Sequence, residues 1–202
     1  MQLYNGVDSA TPGSPLPKGT TLLFGYVGAP DLSGKPDTPH VWTLADWNQY
    51  MSPDGDHYGG PNLRVIPVYT HDYPGNPNED ARNAVDACAD LGWDLHVGRL
   101  IYWDAELLVD EKYTDELAQC IHDRGMRMGK YGSLSTIESD PPVPGGTWFA
   151  SWQANKPTTV PIDKGVAWQW SSPEQNDTPW DMTVARAFVY DNAGRSIRHI
   201  DD

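Results

Sequence analysis

Short apolar runs that close on an acid or an aromatic residue alternate with helix-patterned stretches through the first two-thirds of the chain. Leu3 to Asp8 (LYNGVD) and Thr21 to Val27 (TLLFGYV) are the first two runs. Leu63 to Thr70 (LRVIPVYT) is the third; its β-branched residues outweigh Pro67, which cannot donate to a ladder. Val97 to Asp104 (VGRLIYWD) is the fourth, and Met126 to Tyr131, Thr147 to Trp152 and Val166 to Trp170 complete the set. Between them, Thr43 can cap a helix to Met51 on which Leu44, Trp47 and Met51 share a face. A second helix is expected from about Glu79 to Leu91, with Ala81, Ala84, Val85, Cys88 and Leu91 inward. A third runs from Tyr113 to Asp123 with Leu117, Cys120 and Ile121 inward, stopped by Gly125.

Strands alternating with helices specify βαβ units and a parallel sheet. Toward the C-terminus the strands crowd together and leave little room for helices. Met182 to Ile200 reads as a hairpin turning at Asp191–Gly194. With no repeat, low-complexity stretch or composition shift, residues 1–202 form one domain. The expected fold is α/β: a single TIM-like (β/α) barrel, irregular, with a β-rich C-terminal closure.

Composition narrows the function. The chain has 28 Asp plus Glu against 14 Lys plus Arg, a formal charge of −14. A chain this acidic repels phosphate backbones and anionic membrane surfaces, so neither nucleic acid nor membrane is an expected partner. No stretch approaches the roughly 20 apolar residues of a bilayer span. Met1 to Ala10 shows no basic segment followed by an apolar run, so no signal peptide is read there. Nine Trp and ten Tyr stand beside three Phe. Rings with a polar edge suit sugar surfaces, although composition alone favours a simpler reading, a core that uses Trp.

Barrels of parallel strands place chemistry at the strands' C-terminal ends. Asp8 ends the first run here, and Tyr69, His71 and Asp72 lie at the end of the third. Asp104 and Glu106 end the fourth, Tyr131 the fifth, Trp152 and Gln153 the sixth, and Gln169 and Trp170 the seventh; Asp181 follows. Asp104 and Glu106 are two apart, which puts both on one face of an extended strand. Two carboxylates in one dry cleft push one pKa up and make a general acid available. Glycoside cleavage needs such a pair: one acid protonates the leaving oxygen, and a second group activates water, attacks, or stabilises the sugar cation.

Six pieces, in order, resemble glycoside hydrolase family 25, the lysozyme family of fungal and phage muramidases. The likeness is greater still to the glycoside-hydrolase-like domains of actinobacterial exported and phage proteins. Gly6-Val7-Asp8 is similar to the opening GxD strand and Tyr102-Trp103-Asp104-Ala105-Glu106 to the DxE strand. Gly129-Lys130-Tyr131-Gly132 is similar to the G-x-Y strand, and Trp148-Phe149-Ala150-Ser151-Trp152 to the W-x-A-x-Y/W strand. Ala167-Trp168-Gln169-Trp170 is similar to the W-Q-Y strand, and Trp180-Asp181-Met182 to the closing D-x-N segment, with Thr183 in place of Asn.

The resemblance implies a barrel of about five β/α units closed by strands, and bacterial cell-wall glycan (peptidoglycan) as substrate class. It implies no cofactor. By position Glu106 is the general acid, Asp104 positions or stabilises the reacting sugar, and Asp8 and Asp181 support the site. Tyr69, Tyr131, Trp152, Gln169 and Trp170 line the cleft.

The six histidines show no H-x₃-H pair on one helix and lie far from the cysteines, so no metal site is expected. His71 reads as an ordinary loop histidine. Cys88 and Cys120 read as buried free thiols, with a disulfide open in an oxidising compartment. No G-x-S-x-G elbow supports a serine nucleophile. Two functions stay open: a muramidase-like hydrolase, and a non-catalytic glycan-binding or structural module of a virion or wall-associated protein. The charge of −14 opposes approach to an anionic wall, whereas the acids Asp8, Asp104 and Glu106 have no reason to persist in a purely structural barrel.

Overall fold

The computed structural model describes residues 2–9, 12–28, 41–70, 75–90, 99–105, 111–137, 142–161, 163 and 165–194. Eight strands close into a barrel in chain order: β1 (Leu3–Asp8), β2 (Leu22–Gly28), β3 (Arg64–Thr70), β4 (Arg99–Asp104), β5 (Met126–Ser133), β6 (Thr147–Ala150), β7 (Ala167–Ser171) and β8 (Asp181–Arg186). β1 to β7 run parallel. β8 runs antiparallel between β7 and β1 and shuts the cylinder. The fold is therefore the irregular TIM-like α/β barrel with a β-rich closure.

Strand alternation sorts the apolar residues into two layers. Leu22, Phe24, Ile66, Val68, Leu100, Tyr102, Tyr131, Trp148, Ala167 and Ala185 pack together inside the cylinder. Their neighbours Leu23, Val27, Val65, Tyr69, Ile101, Trp103, Met126 and Met128 face outward onto the helices. Three helices supply the matching surface: α1 (Leu44–Met51) brings Trp47 and Tyr50, α2 (Pro77–Asp90) Ala81, Ala84 and Cys88, and α3 (Glu111–Asp123) Leu117, Ala118 and Ile121. Thr43 caps α1 through a reciprocal box with Asp46. Gly125 ends α3 at φ 87°, the left-handed conformation a glycine adopts without strain. Over β6 to β8 the covering is mostly irregular: Val160 from the β6–β7 connection and Ile137 from the short α4 (Leu134–Ile137) pack on Phe149, Val184, Trp168 and Trp170.

Pro67 sits inside β3 opposite Gly25. The β2 side of the strand pairs along its whole length, while pairing to β4 is confined to Val68 and Tyr69, just past the proline. The missing donor is thus absorbed on one side of the strand.

The expected C-terminal hairpin is not what forms. The short α5 (Pro173–Asn176) leads from β7 to β8, which pairs with β7 and β1, and the chain then enters α6 (Ala187–Asn192). Val189 and Ala193 join the interior cluster, Gly194 bridges Val65, and Arg99 Nη1 donates to the Ala193 carbonyl at 2.8 Å. These partners begin β3 and β4, so α6 plugs the N-terminal end of the cylinder. Sealing that end outweighs the strand preference of Phe188-Val189-Tyr190. Residues 195–200 lie outside the described residues.

Candidate active site

The interior at the other end, where β1 to β7 finish, is polar. Asp8 ends β1 and is 1% exposed. Its antiparallel partner across β1–β8 is Asp181, half-buried, so the two carboxylates stand side by side on the inner face. Gln169 of β7 donates from Nε2 to Asp8 Oδ2 at 3.0 Å. Tyr131 of β5 donates its hydroxyl to Gln169 Oε1, also at 3.0 Å. The phenol thereby orients the amide so that it shows Asp8 a donor rather than an acceptor.

Asp104 enters through the sheet. It is the register partner of Tyr131, and the Ala105 amide donates to the Tyr131 carbonyl at 2.8 Å. Asp8, Asp104, Tyr131, Gln169 and Asp181 are thus brought together from five strands. One layer deeper, the Trp148 ring lies 4.2 Å from both Tyr131 and Phe24, and its Nε1 donates to Thr183 Oγ at 3.1 Å. Thr183, the departure from the D-x-N pattern, is therefore spent on the floor of the site. Tyr26, at the end of β2, belongs to the same face by its register with Val68. Its place was readable from its two-residue spacing from Phe24.

Two sequence expectations fall elsewhere. Tyr69 lies on the outer face of β3, buried against α2 with Trp103, because Val68 takes the inward position. The same parity turns Trp170 outward into the cluster of Phe149 and Val160 while Gln169 points in. Glu106, with His71 and Asp72, lies outside the described residues. Trp152 follows β6 and is 59% exposed, the most open large apolar side chain described.

The tryptophan excess is mostly structural. Trp42, Trp47, Trp103, Trp148 and Trp180 are buried. Trp42, Trp47, Tyr50 and Trp180 form one aromatic knot beside the mouth. It ties down the chain that leaves Asp8: Trp42 Nε1 donates to the Ser9 carbonyl at 3.1 Å and Trp180 Nε1 to the Pro15 carbonyl at 3.0 Å. Tyr50 receives the Gly13 and Ser14 amides. Ser9 Oγ reaches the Pro179 carbonyl, two residues before Asp181. The residue after Asp8 and the residue before Asp181 are therefore both anchored in this knot. Burial pushes the Tyr50 hydroxyl up in pKa against the lowering effect of those two amides.

Two further buried groups escaped the sequence reading. Lys130, between Gly129 and Tyr131, is 1% exposed on the outer face, in register with Trp103. Tyr102 is fully buried in the lumen, and burial raises its pKa strongly. Among the described residues no group of three or more His, Cys, Asp or Glu side chains could hold a metal ion. Cys88 and Cys120 are both free thiols, Cys88 buried and Cys120 half-buried. No described helix is long and apolar enough to cross a membrane.

No protein-family model and no curated protein sequence matches the chain. Solved structures do. A Bacillus stearothermophilus protein solved at 1.07 Å superposes with a TM-score of 0.66 at 17% identity, over 94% of this chain and 99% of that one. The catalytic domain of endolysin ply40 from bacteriophage P40 of Listeria monocytogenes gives 0.61 at 16%, over 94% and 96%. The Tat-secreted protein Rv2525c of Mycobacterium tuberculosis, in complex with L-tartrate, gives 0.59 at 14%, over 92% and 95%. The modular autolysin LytC of Streptococcus pneumoniae gives 0.54 at 14%, over 91% of this chain but 47% of its own. The barrel is thus of the kind found in phage endolysin and autolysin structures, a likeness of fold.

Proposed function

We propose that the domain hydrolyses bacterial cell-wall glycan at the C-terminal mouth of the barrel. The observation that carries this reading is the convergence of Asp8, Asp104 and Asp181 on the inner face, with Asp8 held by Gln169 and Tyr131. The fold shared with an endolysin catalytic domain and an autolysin supports the substrate class.

In this reading Glu106, two residues beyond Asp104, is the general acid. It gives its proton to the glycosidic oxygen as the bond from that oxygen to the anomeric carbon breaks. Asp104 offsets the positive charge that develops on the sugar ring. Water adds to the anomeric carbon, and the proton it releases restores Glu106. Asp8 and Asp181 hold the surrounding charge in place, and Trp152 offers a ring face to a neighbouring sugar. Protein of this function works at the cell wall, from a virion or in an exported chain.

A second reading is a non-catalytic glycan-binding or structural module. The formal charge of −14 favours it, since an anionic wall repels such a domain at long range. Turbidity of a purified peptidoglycan suspension separates the two. The hydrolase reading expects clearing by the wild type and none by Glu106→Gln. No clearing by either, with retention on the pelleted glycan, supports the binding module.

A further inference from the structure

The outer layer behind Asp104 contains a buried carboxylate with no part in the proposed chemistry. Asp80, in the first turn of α2, is 7% exposed. Its Oδ2 accepts the Tyr113 hydroxyl at 2.5 Å and the Gly75 amide at 3.0 Å. Tyr113 stands in the first turn of α3, and its ring packs against Trp103 with centroids 5.7 Å apart. Trp103 immediately precedes Asp104 on β4 and is register partner of both Tyr69 and Lys130. Tyr69, buried beside Asp80, completes the group.

A carboxylate placed this deep is costly unless donors satisfy it. Here one donor comes from α3 and the other from the chain that enters α2. Asp80 therefore fastens the first turn of α3 to the first turn of α2, on the side of the barrel where β3 and β4 end. The short phenol–carboxylate distance is that of a charge-assisted bond, which is stronger than a neutral one.

We infer that the Asp80–Tyr113 pair is a positioning element of the mouth, holding the Trp103–Ala105 segment that carries Asp104 in its register with Tyr131. Its catalytic consequence rests on the hydrolase reading; its structural consequence does not. Asp80 and Tyr113 touch no substrate. They act through Trp103, whose ring is clamped between the barrel wall and Tyr113, and so through the backbone on either side of Asp104.

Tyr113→Phe tests this, because it removes one oxygen and keeps the ring. Ile121→Val, at the far end of α3 and 1% exposed, is the control for a general loss of packing. With peptidoglycan as substrate, Tyr113→Phe lowers kcat about ten- to a hundred-fold while KM stays within about twofold, the signature of misplaced groups. Ile121→Val leaves both near wild type. The second readout is amide exchange at Ala105, whose N–H is bonded to the Tyr131 carbonyl. That amide exchanges faster in Tyr113→Phe, with exchange in β1 and β8 unchanged, and keeps its wild-type rate in Ile121→Val. A wild type without hydrolysis overturns the function and leaves this exchange measurement to judge the latch. Equal Ala105 exchange in the two variants, or equal kcat in an active protein, overturns the latch.

Discussion

Asp8 and Asp181 are direct partners across the antiparallel seam that closes the barrel, so two carboxylates share one inner face at the junction of its first and last strands. Gln169 reaches Asp8 from the neighbouring strand and is itself oriented by Tyr131. Replacing Gln169 by Leu removes a donor from a buried carboxylate. Such a loss costs about 1–3 kcal/mol, read as a lower urea midpoint at unchanged m-value. An unchanged midpoint would mean that the amide does not support Asp8.

The floor of the site depends on a second polar contact in the lumen. Thr183→Val keeps the shape but leaves the Trp148 indole N–H without its acceptor. The expected loss is about 1–3 kcal/mol. Thr183→Ser, which keeps the hydroxyl, should recover part of it in the same urea titration.

Close packing in the lumen sets a steric limit. A Cβ at Gly129 would lie 2.6 Å from the Tyr102 ring. Gly129→Ala should therefore destabilise the barrel by about 1–3 kcal/mol, the usual cost of overpacking. Thermal unfolding followed by circular dichroism measures it.

Much of this architecture is visible in the order of residues. The runs ending at Asp8, Thr70 and Asp104 became β1, β3 and β4, and the apolar faces at Ala81–Cys88 and Leu117–Ile121 became the inner sides of α2 and α3. Those signals are local: apolar period, capping residue, stop glycine. Which strand-end residues face the lumen was less legible, because parity depends on register within the closed sheet. Gln169 points in and Trp170 out for that reason, and Val68, one position before Tyr69, takes the inward place. The terminal helix α6 was hidden because its β-branched and aromatic residues carry strand preference. Only the need to plug the cylinder makes Val189 helical.

Alkaline pH should unfold the protein through its buried acids. Burial raises the Cys88 thiol above its ordinary 9.0, and Tyr69, Tyr102 and Tyr113 above 10.0. The folded state keeps protons that the unfolded chain gives up. The stability they contribute is therefore complete below about pH 9 and is lost as pH rises toward the folded values. Phenolate absorbance at 295 nm should rise in the same transition as the loss of far-ultraviolet ellipticity. Full tyrosine ionisation with ellipticity intact would contradict this.

Trp152, the proposed stacking face for a sugar ring, is mostly exposed and so has little structural duty. Trp152→Ala should weaken chitooligosaccharide binding by about 1–3 kcal/mol, the order found for stacking on an aromatic face, with a Tm within about 1 °C of wild type. Calorimetric titration decides it, and unchanged affinity removes Trp152 from the site.

In the proposed function the carboxylates gathered at the mouth cleave glycan. The most direct measurement is the release of new reducing ends from purified peptidoglycan by wild type, Glu106→Gln and Asp8→Asn, each shown folded by circular dichroism. The wild type should release them steadily, Glu106→Gln not at all, and Asp8→Asn at a rate reduced at least about tenfold, the scale of a misplaced or uncompensated catalytic group. Equal release by all three proteins would contradict that function.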